Sequence, residues 1–340
     1  MFGKKHSGII VFVFALCIIA NAAVANDDAV SAEAGVYEYV VHNAQGSLDE
    51  IAAAISSAAE EAGWTSLATM NAGVPKDCGF ASKVVLLYDK EYANAVMRMN
   101  GTTGPYAVLD RINIFQDEAG THVSVVNPHS ITRTVLMENS AFEEKAETHL
   151  TDLRGLITKV VKGEVSHDPY GQMRDKGYIG KTMGVVAGGK FGDLIKNIAS
   201  VKDAEVTAVA HAIRAGFLQP SKKWGLHVVC EVDLPEFDTV LLGVTGTPMD
   251  SKSFDIVKAG ADESRKDYAC PGIADAAAYP FEIVIVKHDG VVRVQIVDVM
   301  FRMKMYFEDA GKWAFMNNMK MPGSIAKEVK KQIQNGLKQI

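Results

Sequence analysis

The chain has 340 residues, 48% of them hydrophobic, 22% charged and 8% aromatic, and a formal net charge of −6. That composition excludes a disordered chain and a polytopic membrane protein, and the length suffices for two domains of ordinary size. An acidic protein is repelled by phosphate backbones, and Lys327, Lys330, Lys331 and Lys338 read as the solvated face of a helix, so no nucleic-acid partner is expected.

At the N-terminus Lys4 and Lys5 precede an apolar run from Gly8 to Ala20. Ala23-Val24-Ala25 then supplies an Ala-x-Ala site before Asn26. This is the pattern of a secretory signal over residues 1–25, and the run is short for a membrane anchor. Bulky Leu16 before Cys17 and the apolar residues after it speak against a lipid anchor. The mature chain is therefore expected to be periplasmic or secreted, off the membrane, with a formal charge of −8 once the two lysines leave.

Val36 to Val41 reads as a first strand, ended by Gly46. Ser47 and Glu50 form a capping box for a helix whose inner face carries Leu48, Ile51, Ile55 and Ala58 or Ala59. Gly63 stops it and Trp64 packs back. Ser82 to Tyr88 is a buried strand, Glu91 to Met99 a short helix and Asn100 to Pro105 a loop. A hairpin follows and breaks at Asn127-Pro128; Phe142 to Val161 is then a long helix with Leu150, Leu153, Ile157 and Val160 at helical spacing. Lys162 to Gly180, rich in Gly, Asp and Tyr, reads as a linker. Beyond it come a strand near Thr182 to Ala187 and a helix from Asp203 to Ala215 with Val206, Val209 and Ile213 inward. Strands follow at Leu226 to Val232 and Thr239 to Val244, then a second hairpin from Phe281 to Val297. Ile325, Val329, Ile333 and Leu337 mark a closing helix.

The two hairpins share a register. At an offset of 171 positions Ile283, Ile285, Val294, Ile296 and Val297 fall on Ile112, Ile114, Val123, Val125 and Val126 without a gap. The reading is an α+β protein of two similar modules, each a mostly antiparallel sheet with helices on one face. The first module spans 33–162, a linker 163–180 and the second module 181–340.

The hairpins and their trailing helices resemble the domain of unknown function 302 family, a small α+β module found singly and in tandem. Its pattern runs Asn-Pro-x-x-Ala, a helix, Leu-Pro-Cys, strand, Gly-containing turn, strand and Asp-Pro. Tyr279-Pro280-Phe281 takes the Leu-Pro-Cys place with Phe281 for the cysteine. Asn127-Pro128 matches the last element, and Asp298-Val299 keeps half of it. Asp89-Lys90-Glu91-Tyr92-Ala93 lacks the earlier Asn-Pro. The resemblance covers about half the chain and implies a fold without an established activity.

Signal cleavage leaves Cys78, Cys230 and Cys270, hence at most one internal disulfide in an oxidising compartment. Cys230 and Cys270 share a module and are the preferred pair, although the spacing leaves open that none forms. Gly184 to Lys190 fits most of a phosphate-binding loop, but Phe191 stands where a magnesium-ligating hydroxyl is required. His227 and Cys230, three apart in a strand, face opposite ways and make no metal pair. The other histidines are scattered and read as ordinary surface or core residues. Six of the 14 methionines lie between Met300 and Met321, where soft thioethers suit Cu(I). However, Phe301, Met303, Met305 and Phe307 alternate with polar neighbours as in a half-buried strand, which points to packing.

The expectation is an exported protein that binds a small ligand or a partner protein without catalysis and without a cofactor. The alternative is copper held by Met303, Met305, Met316 and Met319 with help from Cys270. A hydrolase or isomerase with no assignable residues is a further alternative, and homo-oligomerisation stays open.

Overall fold

The computed structural model describes residues 34–136, 139, 141–174, 177, 189–261, 265–307 and 310–340. The expected signal at 1–25, the strand near Thr182 to Ala187 and most of the glycine-rich stretch before Phe191 lie outside them.

Strand β1 (Ala34–His42) leads to helix α1 (Leu48–Glu61). The capping box forms as read: Ser47 Oγ accepts from Glu50 N, and Glu50 Oε2 accepts from Ser47 N at 2.8 Å. Gly63, at φ +84°, ends the helix in the left-handed conformation open to glycine, and Trp64 N donates back to Ala59 O. Then come β2 (Thr65–Asn71), β3 (Ser82–Tyr88), α2 (Lys90–Met99), a 3-10 turn at Gly104–Ala107, β4 (Asp110–Asp117) and β5 (Gly120–Val126). Asn127 does more than break the hairpin. Its side chain accepts from His129 N, and with Pro128 at the first helical position it starts α3 (Pro128–Val135), ahead of α4 (Phe142–Val160).

The stretch expected as a linker departs from the reading. Within it β6 (Glu164–Val165) and β7 (Pro169–Arg174) both pair antiparallel with β1. The free edge of β1 is hydrogen-bonding surface that a following segment can cover, and its polar, glycine-bearing composition does not prevent that.

The second half contains β8 (Ile195–Lys202), α5 (Val206–Gly216), β9 (His227–Leu234), β10 (Thr239–Thr245) and α6 (Thr247–Gly260). A 3-10 helix at Pro271–Ala278 leads into β11 (Phe281–His288) and β12 (Val291–Val297). Helices α7 (Val299–Phe307), α8 (Lys312–Asn317) and α9 (Lys320–Leu337) close it. The methionine segment expected as a strand is α7. Asp298 Oδ1 accepts from Met300 N and Phe301 N and starts the helix, as Asn127 does 171 positions earlier. Buried on every side, α7 lacks the polar face that would have shown helical period.

Both sheets are antiparallel and share one strand order. The first runs β2-β3-β4-β5-β1, with β6 and β7 added to β1; the second runs β9-β10-β11-β12-β8. An α+β fold results. Val85, Leu87, Ile112, Ile114, Val123 and Val125 turn one face of the first sheet to α1 and α4. Val36, Val84, Leu86 and Phe115, on its other face, join the core of the second half, so the halves share apolar interior. Helices α5 and α9 meet at Gly216 and Gly336, where an added Cβ would collide with Gln332 O and Ala212 O.

Candidate functional site

A cavity of about 240 Å³ lies between the first sheet and the segment that enters the second hairpin. Tyr39 of β1, Phe115 and Asp117 of β4 and Tyr170 of β7 line one side. Arg265, Tyr268, Cys270, Pro271, Ile273 and Ala274 line the other. Alternation in the strands places Phe115 and Asp117 together, as residues two apart share a face. Polar bonds hold the roof down. Asn113 Nδ2 donates to Ile273 O and Ala274 O at 2.9 Å, and Ser82 Oγ donates to Asn113 Oδ1 at 2.7 Å. Tyr170 OH donates to Ala274 O at 2.7 Å and lies 2.8 Å from Ser124 Oγ, which donates to it in turn. Ala269 N donates to Glu118 Oε1 in the β4–β5 turn. A disulfide between Cys78 and Cys270 fastens the start of the roof to the loop after β2.

Beside this cavity runs a line of proton-bearing groups. His42 Nδ1 is 3.0 Å from His122 Nδ1, His122 Nε2 is 3.0 Å from Asp117 Oδ1, and His42 Nε2 is 3.4 Å from Asp168 Oδ2. Local structure explains each position. β4 and β5 pair Phe115 with His122 and Asp117 with Gly120, so Asp117 can also accept from Ala119 N and Gly120 N. β1 pairs with β5 through a bulge between Tyr39 and Val41. Val40 and Val41 consequently both enter the core under α1 and α4, and His42 returns to the face of Tyr39. The Tyr39 ring packs on His42, His122, Phe115 and Tyr170, with centroids 4.2 to 6.0 Å away.

Burial pushes the Asp117 carboxyl up, but the His122 bond and the two turn amides outweigh it and hold it below the ordinary value. Asp168 is lowered by Ser166 and, after it, His42. Burial first, then Asp117 and Asp275, raise the Tyr39 phenol, which stays neutral. At the line's two ends are an exposed carboxylate, Asp168, and one that borders the cavity, Asp117. Such an arrangement can accept a proton at one end and release it at the other.

A solved structure is similar to part of the chain. It is the crystal structure of an uncharacterized conserved protein, DUF302, from Bacillus stearothermophilus, at 14% identity and a TM-score of 0.32, covering 37% of this chain and 98% of that one. No family model matches the chain, and no curated protein matches it.

The residues proposed for copper fall on α7, on and just after α8, and at the start of the segment that enters the second hairpin. Met303 and Met305 sit two apart on α7, about 200° around a helix, and both are buried. Met303 borders a small apolar cavity with Phe307, Phe315 and Met321, whereas Met316 and Met319, on and just after α8, are half-buried. Cys270 has no thiolate to offer, because its sulfur is bonded to Cys78. The preferred pairing of Cys230 with Cys270 is thereby overturned. Cys230 lies on β9 opposite Gly243 and is buried against it, with a thiol that burial pushes up to about 11. Among the described residues no group of three His, Cys, Asp or Glu side chains is arranged to hold a metal.

The histidine pair was not anticipated from sequence. One signal for it was available. At the shared offset Asp117 and His122 correspond to His288 and Arg293, and Tyr39 pairs in the register that Asn197 takes in the second sheet. The hydrophobic positions repeat, and these polar ones do not.

Proposed function

We propose that this is an exported protein built from two DUF302-like modules in tandem, and that it binds a small ligand in the cavity between them. The cavity carries this reading. Its volume of about 240 Å³ suits a small organic molecule, and aromatic walls with a few fixed polar groups are the usual make-up of a ligand pocket. Export draws support from the signal-like N-terminus and from the disulfide, since such bonds persist in oxidising compartments. Filling the cavity tests the reading. Ala274→Leu is expected to abolish binding of small aromatic fragments detected by ligand-observed NMR, with the circular dichroism spectrum unchanged. Equal binding by the filled variant would refute it.

The line of histidines and carboxylates favours a second reading, acid–base catalysis of isomerisation or hydrolysis on the bound molecule. Turnover of a bound fragment, abolished by Asp117→Asn, would establish catalysis in place of simple binding.

A further inference from the structure

We propose that the cavity takes a small organic cation, an ammonium group on an aromatic or planar body, and that its binding drives one proton out along His122 and His42 to solvent. This rests on the cavity being the ligand site.

Two polar atoms at the cavity are uncommitted. Asp117 directs all its hydrogen bonds through Oδ1, from Ala119 N, Gly120 N and His122 Nε2, so Oδ2 accepts none among the described residues. The Tyr39 hydroxyl likewise makes no hydrogen bond among them, although its ring is packed on four neighbours. A carboxylate oxygen and a phenol beside Phe115, Tyr170 and Tyr268 suit a cation, which gains from both the charge and the ring faces. An anionic ligand would meet Asp117 directly, and the guanidinium at the cavity, Arg265, already lies 3.8 Å from Asp275.

Proton counting supplies the second half. A carboxylate can only accept, so His122 Nε2 carries hydrogen toward Asp117 and His42 Nε2 carries hydrogen toward Asp168. The contact between the two Nδ1 atoms requires one hydrogen more. Three protons on four ring nitrogens make one imidazolium shared by the pair. Its charge is held by Asp117 and Asp168, with Ser166 bonded to Asp168. Tyr39 packs on both rings as a neutral phenol, Tyr170 packs on Tyr39 as another, and Arg265 and Tyr268 lie across the cavity, Arg265 3.8 Å from Asp275. Glu38 is turned away, bound to Arg154 at 2.6 and 2.8 Å. When a ligand cation takes the open oxygen of Asp117, two positive charges compete for one carboxylate, and the mobile one leaves. The Nδ1 proton passes between the rings while His42 gives its Nε2 hydrogen to Asp168 and water. Atoms and charge balance, since one cation enters and one proton departs.

Calorimetric titration of the mature chain at pH 7 with phenethylamine, 2-phenylethanol and phenylacetate tests this, because the three share a ring and differ in charge. Phenethylamine is expected to bind at least about tenfold more tightly than either analogue. Its heat is expected to differ between phosphate and Tris buffers by the amount for about one proton released, and its affinity to rise with pH accordingly. Asp117→Asn removes the preference, Tyr39→Phe weakens it with the fold intact, and His122→Gln keeps the preference but brings proton release close to zero. Equal or tighter binding of the alcohol or the acid overturns the cation assignment and leaves the cavity as the ligand site. Phenethylamine heats that do not depend on buffer overturn the proton release. Phenethylamine binding undiminished by Ala274→Leu overturns the inference together with the reading beneath it.

Discussion

Asp250 and His149 are buried ionisable side chains with opposite surroundings, and together they set a pH profile. Asp250 sits at the start of α6, where Thr245 Oγ donates at 2.7 Å and Gly73 N, from the first half, at 3.2 Å. Burial nevertheless dominates and pushes its carboxyl up to about 6 from 3.8. The folded state therefore holds this proton more tightly than the unfolded chain does, and stability falls as pH rises from about 3.8 to 6. His149 lies between Asp110 and Asp89, 2.8 and 3.5 Å away, with Tyr92 stacked at 3.7 Å. Burial lowers its pKa, but the two carboxylates outweigh this and raise it from 6.5 to about 9. Its contribution is complete below pH 6.5 and is lost as pH rises through 9. Each shift corresponds to about 3 kcal/mol. Urea unfolding at pH 4, 6.5 and 9.5 should show both declines, the first absent in Asp250→Asn and the second in His149→Gln. A profile in either variant that matches the parent would contradict the assignment.

At the scale of elements, local rules carried the sequence reading far. The capping box at Ser47, the stop at Gly63 and the hairpins at an offset of 171 all rest on interactions a few residues long, and all are present. Long-range features were not legible. Strict alternation puts His42 on the face of Val40, and only the bulge in the β1–β5 pairing brings it to His122. Helix α7 lost its period because tertiary burial surrounds it. The disulfide joins residues 192 apart, across the two halves, and no spacing rule selects it. That separation makes the bond consequential, since cross-linking a long loop restricts the unfolded chain strongly, by about 2–5 kcal/mol. Cys78→Ser with Cys270→Ser should lower the urea midpoint accordingly, and dithiothreitol should do the same to the parent chain. A midpoint that ignores both would show that the roof is held by Asn113 and Tyr170 without it.

At the scale of the whole molecule, the halves meet through equivalent positions. Arg111 on β4 and Glu282 on β11 are 171 residues apart, the offset of the repeat, and they form a buried ion pair with each other. Where matching positions of the two halves meet, a single chain can place opposite charges there. Two identical modules would instead set Arg against Arg or Glu against Glu. Glu282 also receives Arg302 Nε at 2.9 Å, and Arg302 lies 3.7 Å from the Tyr306 ring centre, whose hydroxyl accepts from Arg111 at 3.0 Å. Burial pushes the Tyr306 phenol up, yet the two guanidiniums outweigh it and pull it below the ordinary value. One carboxylate thus compensates two buried cations, which makes its loss more damaging than the loss of either partner. Arg111→Met removes one cation and leaves Glu282 paired with Arg302, whereas Glu282→Gln strands both. Breaking a buried pair costs about 3–5 kcal/mol, so Arg111→Met is expected at or below the low end and Glu282→Gln at the high end. Urea denaturation of the two variants at pH 7 measures the order directly. In Glu282→Gln the Tyr306 phenol should also ionise at lower pH, read as tyrosinate absorbance, because an anion is then the charge that the cluster lacks. If Arg111→Met proves the more destabilising change, Glu282 is not the group on which the junction between the halves depends.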